Sequence, residues 1–174
     1  MRNLCALLLA ALLGACATAP DAAVSAARTD TEEFQIETTV LAVYNVISGP
    51  AGRRDWKRFE ALFVPDARIV VSTAKDGVPG TVVMTTKDYI DRSTPAFNEK
   101  GFFERPIATR TLRYGNIAHV WSTYEAREAS SQEKPDARGI NSFELVRVGS
   151  DWKVQSLVWQ KESAAHPIPP QFAR

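Results

Sequence analysis

The sequence predicts an α+β domain, and two observations indicate it. Apolar residues recur at helical spacing within the first hundred residues, whereas four long β-like segments follow one another from Phe102 onward. Short connections that contain Gly or polar residues join these segments, as is typical of an antiparallel meander. The chain has 174 residues, a length that suits one domain with a substantial core.

The first predicted helix begins at the capping pattern Thr29–Glu32 and ends before Gly49-Pro50. Its apolar residues recur at helical spacing and should share one buried face: Ile36, Val40, Val43, Tyr44 and Ile47.

Two shorter helices are predicted to follow. Asp55 caps the second helix, which Pro65 ends and whose apolar residues are Trp56, Phe59, Leu62 and Phe63. A second capping pattern, Thr85–Asp88, opens the third helix, which carries Tyr89, Ile90 and Phe97. Pro95 is expected to kink or shorten that third helix.

The predicted strands fall into two groups. Two short strands, 67–73 and 81–84, are separated by the stretch 77–80 and precede the third helix. Four long strands come after it: 102–114, 117–128, 138–148 and 152–162.

Strict alternation in the last strand places Trp152, Val154 and Val158 on one face, and Leu157 and Trp159 on the other. Since an antiparallel sheet with one solvated face should alternate apolar and polar residues, something besides the helices should cover the second face. A partner subunit is the simplest cover, and the sequence therefore predicts a homodimer.

The N-terminal segment has the features of an export signal: Arg2, an apolar stretch over 4–13, and the ending Leu13-Gly14-Ala15-Cys16. This ending resembles the lipobox of bacterial lipoproteins, in which the Cys is acylated and becomes the mature N-terminus. The resemblance implies a lipid anchor on Cys16 in the bacterial cell envelope, and the non-acidic Ala17 implies the outer membrane facing the periplasm in a diderm cell. The alternative is an ordinary secretory signal with Cys16 incidental.

The predicted organisation is a signal peptide (1–15), a tether (16–30), a folded domain (31–162) and a Pro-rich tail (163–174). Both cysteines, Cys5 and Cys16, lie before the domain, which excludes disulfides and thiol chemistry from it. Because 21 Lys and Arg residues balance 20 Asp and Glu residues, no basic field for nucleic acid is present.

Several strings sharpen the fold prediction: Arg54-Asp55-Trp56, the segment 114–125 (YGNIAHVWSTYE), the segment 138–142 (RGINS), and Trp152 with Trp159. Together with the order of elements, they resemble the SnoaL-like branch of the nuclear transport factor 2-like superfamily, which includes polyketide cyclases and ketosteroid isomerases. The resemblance implies a cone-shaped curved antiparallel sheet with three N-terminal helices packed on its concave face. That face would enclose a pocket for a small, flat, apolar or aromatic molecule.

In such a fold the aromatic residues of the helices and strands would line the pocket: Tyr44, Trp56, Phe59, Tyr89, Phe97, His119, Trp121, Phe143 and Trp159. Arg138 and Asn141 could orient a polar group of the ligand. For any single aromatic residue the alternative is ordinary core packing.

The candidates for chemistry are few. His119 is the one histidine of the folded domain, so no His or Cys cluster for a metal can be read from it, and no cofactor is predicted. His119 could transfer a proton, Asp55 could act as a base, and Tyr44 or Tyr124 could donate a hydrogen bond to an oxyanion. The alternatives are a helix cap for Asp55 and a structural hydrogen bond for His119. The Tyr and paired Asp residues of ketosteroid isomerases are absent.

We therefore expect a lipid-anchored domain that binds a small, mostly apolar molecule. One alternative is an isomerase, cyclase or dehydratase acting by acid–base chemistry on such a molecule. Another is a dimeric interaction module whose pocket is filled by its own side chains. An empty pocket above about 300 Å³ would favour the first two, and a filled pocket would favour the third.

Overall fold

The computed structural model of the protein describes residues 20–75 and 77–173. Its helices are α1 (Pro20–Ile47), α2 (Trp56–Ala61) and α3 (Thr86–Glu99). Its strands are β1 (Phe63–Lys75), β2 (Val78–Met84), β3 (Phe103–Tyr114), β4 (Ile117–Arg127), β5 (Ala137–Val148) and β6 (Asp151–Lys161). A short 3-10 turn, Pro170–Phe172, lies in the tail.

The strands form one six-stranded sheet in the order β2-β1-β6-β5-β4-β3. The predicted antiparallel meander of the last four strands is confirmed, while β1 joins β6 in parallel and β2 pairs with β1 antiparallel. The helices pack on one face of this sheet, and a single apolar core lies between them. The predicted α+β class is confirmed. We call the face under the helices the concave face, and the opposite one the convex face.

Helix α1 buries the predicted apolar residues, since Ile36, Val40, Val43 and Tyr44 are at most 2% exposed. It begins at Pro20, however, ahead of the predicted capping pattern, so residues 20–30 of the expected tether belong to the helix. This segment is rich in Ala, the residue with the highest helix propensity, and contains no Gly. Proline is tolerated in the first turn of a helix, where its missing N–H has no intrahelical partner. Residues 1–15 and Cys16 lie outside the described residues.

Helix α2 is capped as predicted, because the Asp55 carboxylate accepts a hydrogen bond from the Arg58 backbone N–H at 3.0 Å. The helix ends at Ala61, and Pro65 does not terminate it, because β1 already begins at Phe63. Pro65 instead lies where β1 shifts register against β6, between Phe63 and Arg68. A residue without an N–H is tolerated at such an irregularity.

Helix α3 has the predicted capping box, in which Thr85 and Asp88 exchange hydrogen bonds between side chain and backbone. The expectation that Pro95 shortens this helix is wrong, because the helix continues to Glu99. Tyr89 and Phe97, on either side of Pro95, both belong to the core or pack against it. Tertiary packing therefore holds both halves of the helix in place.

The predicted alternation in β6 is also wrong. Leu145 pairs with Val154 and Glu144 pairs with Ser156, so Gln155 is an extra residue in the ladder. Because this irregularity reverses the alternation, Leu157 lies on the concave face with Val154, whereas Val158 is 38% exposed on the convex face.

The tail returns to the convex face of the sheet. The Phe172 ring lies 5.2 Å from the Trp121 ring, and the Thr123 hydroxyl donates a hydrogen bond to the Phe172 carbonyl. The chain itself therefore covers part of the face for which a partner subunit was expected. Within residues 20–75 and 77–173, no helix is long and apolar enough to cross a membrane.

Candidate functional site

A cavity of about 280 Å³ lies on the concave face, enclosed by α1, α3 and strands β3 to β6. This volume is near the lower end, about 300 Å³, of small-molecule sites. Seven of its fifteen lining residues are aromatic: Tyr44, Tyr89, Phe97, Phe102, Tyr124, Phe143 and Trp159. Five predicted aromatic residues thus reach the cavity, namely Tyr44, Tyr89, Phe97, Phe143 and Trp159.

Trp56 and Phe59 were also predicted to line this cavity, but they lie behind its wall. The Trp56 ring stacks against Phe97 with centroids 6.0 Å apart, and the Phe59 ring stacks against Tyr89 at 5.2 Å. Neither residue is among those that line the cavity. Their role is to fix the two α3 rings that do line the cavity.

Polar groups meet at one wall of this aromatic cavity. The Tyr44 and Ser122 hydroxyls share a hydrogen bond of 2.7 Å. The Asn141 amide donates to the Tyr44 hydroxyl oxygen at 2.9 Å and to the Glu104 carboxylate at 3.0 Å. The predicted polar residue Asn141 therefore lies in the site and links a phenol to a carboxylate.

Glu104 is the one charged side chain among the fifteen lining residues. Burial raises the pKa of its carboxyl to about 7. The hydrogen bond from Asn141 lowers this pKa, but by less than burial raises it. Its backbone is held in place by Ser48 at the end of α1, whose hydroxyl donates to the Glu104 carbonyl and accepts from the Glu104 N–H, both at 2.9 Å. A carboxyl group that titrates near neutral pH in an apolar cavity is suited to binding or moving a proton.

The three tyrosines of the cavity are neutral phenols at physiological pH. Burial, and secondly the nearby Glu104 carboxylate, raises the pKa of Tyr44, Tyr89 and Tyr124 above the ordinary value. The Tyr44 oxygen can accept hydrogen bonds from both Asn141 and Ser122, which leaves its own hydrogen for a ligand.

Tyr124 fits the cavity because Gly139 faces it on β5. A Cβ atom at Gly139 would lie 2.6 Å from the Tyr124 hydroxyl oxygen. The glycine therefore makes room for the ring.

Asp55, predicted as a candidate base, is not among the residues that line this cavity, and it is the helix cap of its alternative interpretation. Its carboxylate is committed to the first turn of α2.

His119 and Trp121 lie on the convex face, contrary to the prediction that they contribute to the pocket. Their β4 neighbours Val120, Ser122 and Tyr124 are buried on the concave face, and alternate residues of a strand point to opposite faces. The His119 Nε2 atom lies 2.9 Å from the Ser142 hydroxyl, and its ring packs against Trp121 at 4.9 Å. His119 therefore has the structural hydrogen bond that was its alternative interpretation.

Sequence reasoning missed Glu104 because the inward parity of β3 could not be assigned. The neighbouring Arg105 points outward to Glu125, and an irregularity between Pro106 and Ala108 then shifts the strand's parity. One signal was available: Glu104 follows two aromatic residues, Phe102 and Phe103, at the start of a strand.

Within the described ranges, no group of three or more His, Cys, Asp and Glu side chains could hold a metal ion.

A larger cavity, about 780 Å³, lies between the convex face and the tail and includes Trp121, Ser142 and Phe172 in its lining. We favour the concave cavity as the functional site despite its smaller volume. Only there do a phenol, an amide and a carboxylate of the described residues hydrogen-bond to one another within an aromatic enclosure.

No family model matches the chain, and no curated protein matches it. Solved structures do. An NTF2-like protein with a cystatin-like fold from Novosphingobium aromaticivorans is 14% identical, with a TM-score of 0.67 over 86% of this chain and 96% of that one.

Two further solved structures are named as candidate dehydratases. One, of the NTF2-like family from Streptomyces avermitilis, is 14% identical and has a TM-score of 0.60 over 78% of this chain and 99% of that one. The other, a candidate scytalone dehydratase from Novosphingobium aromaticivorans, is 18% identical and has a TM-score of 0.58 over 78% and 87%. At these identities the likeness concerns the fold, and the chain therefore has the cystatin-like fold of the NTF2-like proteins.

Proposed function

We propose that the protein binds a small, mostly apolar molecule in the concave cavity. The observation that carries this proposal is the hydrogen-bonded set Tyr44–Asn141–Glu104 at one wall of an aromatic enclosure. Small-molecule sites combine an apolar lining with a few convergent polar groups in the same way. The cavity, at about 280 Å³, lies just below the volume of about 300 Å³ above which we expected ligand binding rather than a filled pocket, so its polar groups carry the proposal.

The cavity suits a ligand that has an apolar body and one polar group. Its apolar body would contact the rings of Phe97, Phe143 and Trp159, and its polar group would meet Tyr44 and Glu104. With about 280 Å³ available, the ligand is limited to a small molecule.

The test is mass spectrometry of small molecules retained by the purified protein and by two matched variants. Ala126→Leu places a larger side chain in the cavity, whereas Ala118→Leu makes the same change on the same face of β4 outside the cavity lining. We expect the retained molecule to be lost from Ala126→Leu and kept by Ala118→Leu. Equal retention by both variants would refute the proposal.

A second candidate function, proton transfer on such a ligand, is favoured by the Glu104 pKa of about 7. The Glu104 carboxylate would take a proton from a ligand carbon while the Tyr44 hydroxyl donates to the oxygen on which negative charge develops. Isomerases, cyclases and dehydratases use steps of this kind. The names of two similar structures, both candidate dehydratases, support this class.

Solvent exchange tests the second candidate. In D₂O, an enzyme of this kind would introduce deuterium into the retained molecule, and Glu104→Gln would abolish the exchange. A retained molecule without exchange would leave binding as the function.

We further propose export and lipid anchoring through Cys16, which places the protein in the bacterial cell envelope and, in a diderm cell, at the outer membrane facing the periplasm. The support is the sequence Leu13-Gly14-Ala15-Cys16 after an apolar stretch.

We also propose a homodimer formed through the part of the convex face that the tail leaves open. Leu112, Tyr114 and Ile117 are 53%, 84% and 57% exposed there, which is typical of an interaction surface. Sedimentation of the soluble domain tests this proposal, and Leu112→Asp should shift a dimer to monomer. A monomer at high micromolar concentration would refute it.

A further inference from the structure

We infer that the ligand of the concave cavity is a cation, an apolar molecule carrying one ammonium group that Glu104 holds among the aromatic rings. This inference rests on the proposed function, since it names the ligand class for the same cavity.

The first support is an unbalanced charge. Glu104 is the one charged residue among those that line the cavity, and it forms no ion pair with another described residue. A carboxylate withdrawn from water is costly unless it is paired, and the half-buried Glu104 side chain has only the Asn141 amide within hydrogen-bond distance. A cationic ligand would supply the missing partner.

The nearby arginines are committed elsewhere. Arg105 and Arg127 line a neighbouring cavity of about 370 Å³ together with Glu104, but both donate to Glu125 at 2.7 Å. Arg54 donates to the backbone carbonyls of Ile47 and Gly49 at 2.8 and 2.9 Å. The side chains of the protein itself therefore leave the Glu104 carboxylate free to accept a cation.

The second support is the nature of the walls. Seven of the fifteen lining residues are aromatic, and none of the lining residues is basic. Aromatic rings attract cations through the negative electrostatic potential of their faces, and this attraction is stronger where water is excluded. A carboxylate and surrounding rings would attract an ammonium group together, whereas both would repel an anion.

The direction in which ligand affinity changes with pH distinguishes a cationic ligand from a neutral one. A cation would bind the ionised Glu104 carboxylate, and affinity would rise with pH. A neutral ligand with a carbonyl acceptor would bind the protonated carboxyl, and affinity would fall with pH.

The other titratable groups that face the carboxylate would not change the pH dependence of ligand affinity. Tyr44 from α1, Tyr89 from α3 and Tyr124 from β4 have pKa values raised above the ordinary tyrosine value. They remain neutral between pH 6 and pH 8.

The experiment is calorimetric titration of the protein with benzylamine, which stays protonated between pH 6 and pH 8, and with benzyl alcohol as its neutral counterpart. Benzylamine should bind more tightly than benzyl alcohol at pH 8. For a carboxyl of pKa about 7, its affinity should be about tenfold higher at pH 8 than at pH 6, since only the ionised fraction binds. At pH 6 its binding should release close to one proton, measured in buffers of different ionisation enthalpy.

Glu104→Gln should remove both the preference for the amine and the pH dependence, while Glu99→Gln, on an exposed carboxylate of α3, should keep both. The proton release of the unmodified protein tests the inference even if Glu104→Gln fails to fold. Equal binding of the two probes, or amine affinity that falls with pH, would overturn the cationic ligand while leaving the cavity a binding site. If neither probe binds, the inference is overturned too, and the Ala126→Leu experiment decides separately whether the cavity binds anything.

Discussion

The Asn141 amide donates a hydrogen bond to the Glu104 carboxylate at 3.0 Å, although their strands, β5 and β3, are separated by β4. The contact is possible because Glu104 pairs in register with Ala126 on β4, whose small side chain leaves space above the sheet. The Asn141 side chain therefore reaches across β4 and links β5 to β3 in the wall of the cavity. This contact defines the polar end of the site.

The burial of Glu104 predicts a stability that depends on pH. The folded chain holds the proton more tightly than the unfolded chain, since burial raises the pKa from 4.5 to about 7. Stability should therefore fall as the pH rises through this window, by about 3 kcal/mol at most. Glu104→Gln should stabilise the protein by about 1–3 kcal/mol at pH 8 and hardly at all at pH 4.5.

Urea unfolding at the two pH values measures this difference, with Glu99→Gln as the control for removing an exposed carboxylate. A stabilisation that is the same at both pH values would show that Glu104 is not a buried acid.

Removing the cap of α2 should cost stability without affecting the site. Asp55→Ala leaves the Arg58 N–H without its partner and should destabilise the domain by about 1 kcal/mol, or roughly 2–4 °C in Tm. Asp55→Ser should restore most of the loss because serine also caps helices. Thermal unfolding measures the change in stability, and ligand retention should be unaltered. A large loss of ligand retention with normal stability would show that Asp55 contributes to ligand binding.

His119 should matter for the sheet rather than for the ligand. His119→Gln can keep a hydrogen bond to Ser142 but loses the ring contact with Trp121, so stability should fall by about 1 kcal/mol or less. Ligand affinity should stay unchanged. A tenfold loss of affinity, about 1.4 kcal/mol, in a stable variant would contradict the position of His119 on the convex face.

Several elements with strong local signals were predictable from the sequence, although the capping pattern Thr29–Glu32 does not start α1, which begins at Pro20. The caps at Asp55 and Thr85, the apolar face of α1 and the turns at Gly115 and Gly149, with φ of 55° and 62°, agree with the structure. Each depends on a few neighbouring residues whose chemistry dictates one local conformation.

The site itself was harder to predict, since it depends on strand parity. One extra residue in β6, Gln155, reversed the expected alternation there, and β4 parity placed His119 and Trp121 on the convex face. Such irregularities arise from pairing between distant strands, which local sequence does not encode. Tyr44 and Asn141 were correctly placed in the cavity, while Glu104 was missed.

The proposed anchor can be tested independently of the fold. Cys16→Ser should abolish membrane retention and leave the domain folded, because the thiol is the proposed site of acylation and lies before the domain. Detergent phase separation of labelled protein, with Cys5→Ser as the matched control, measures this loss. Equal recovery of both variants in the detergent phase would refute the lipid anchor.

A ¹³C NMR titration of the Glu104 side-chain carboxyl would measure its pKa directly, with the resonance assigned by its absence from Glu104→Gln. The midpoint should lie at about pH 7, because the carboxyl lies in an apolar cavity without a charged partner among the described residues. A midpoint near the ordinary value of 4.5 would contradict this prediction, since the carboxylate would then be solvated or paired and the concave cavity would have no buried acid.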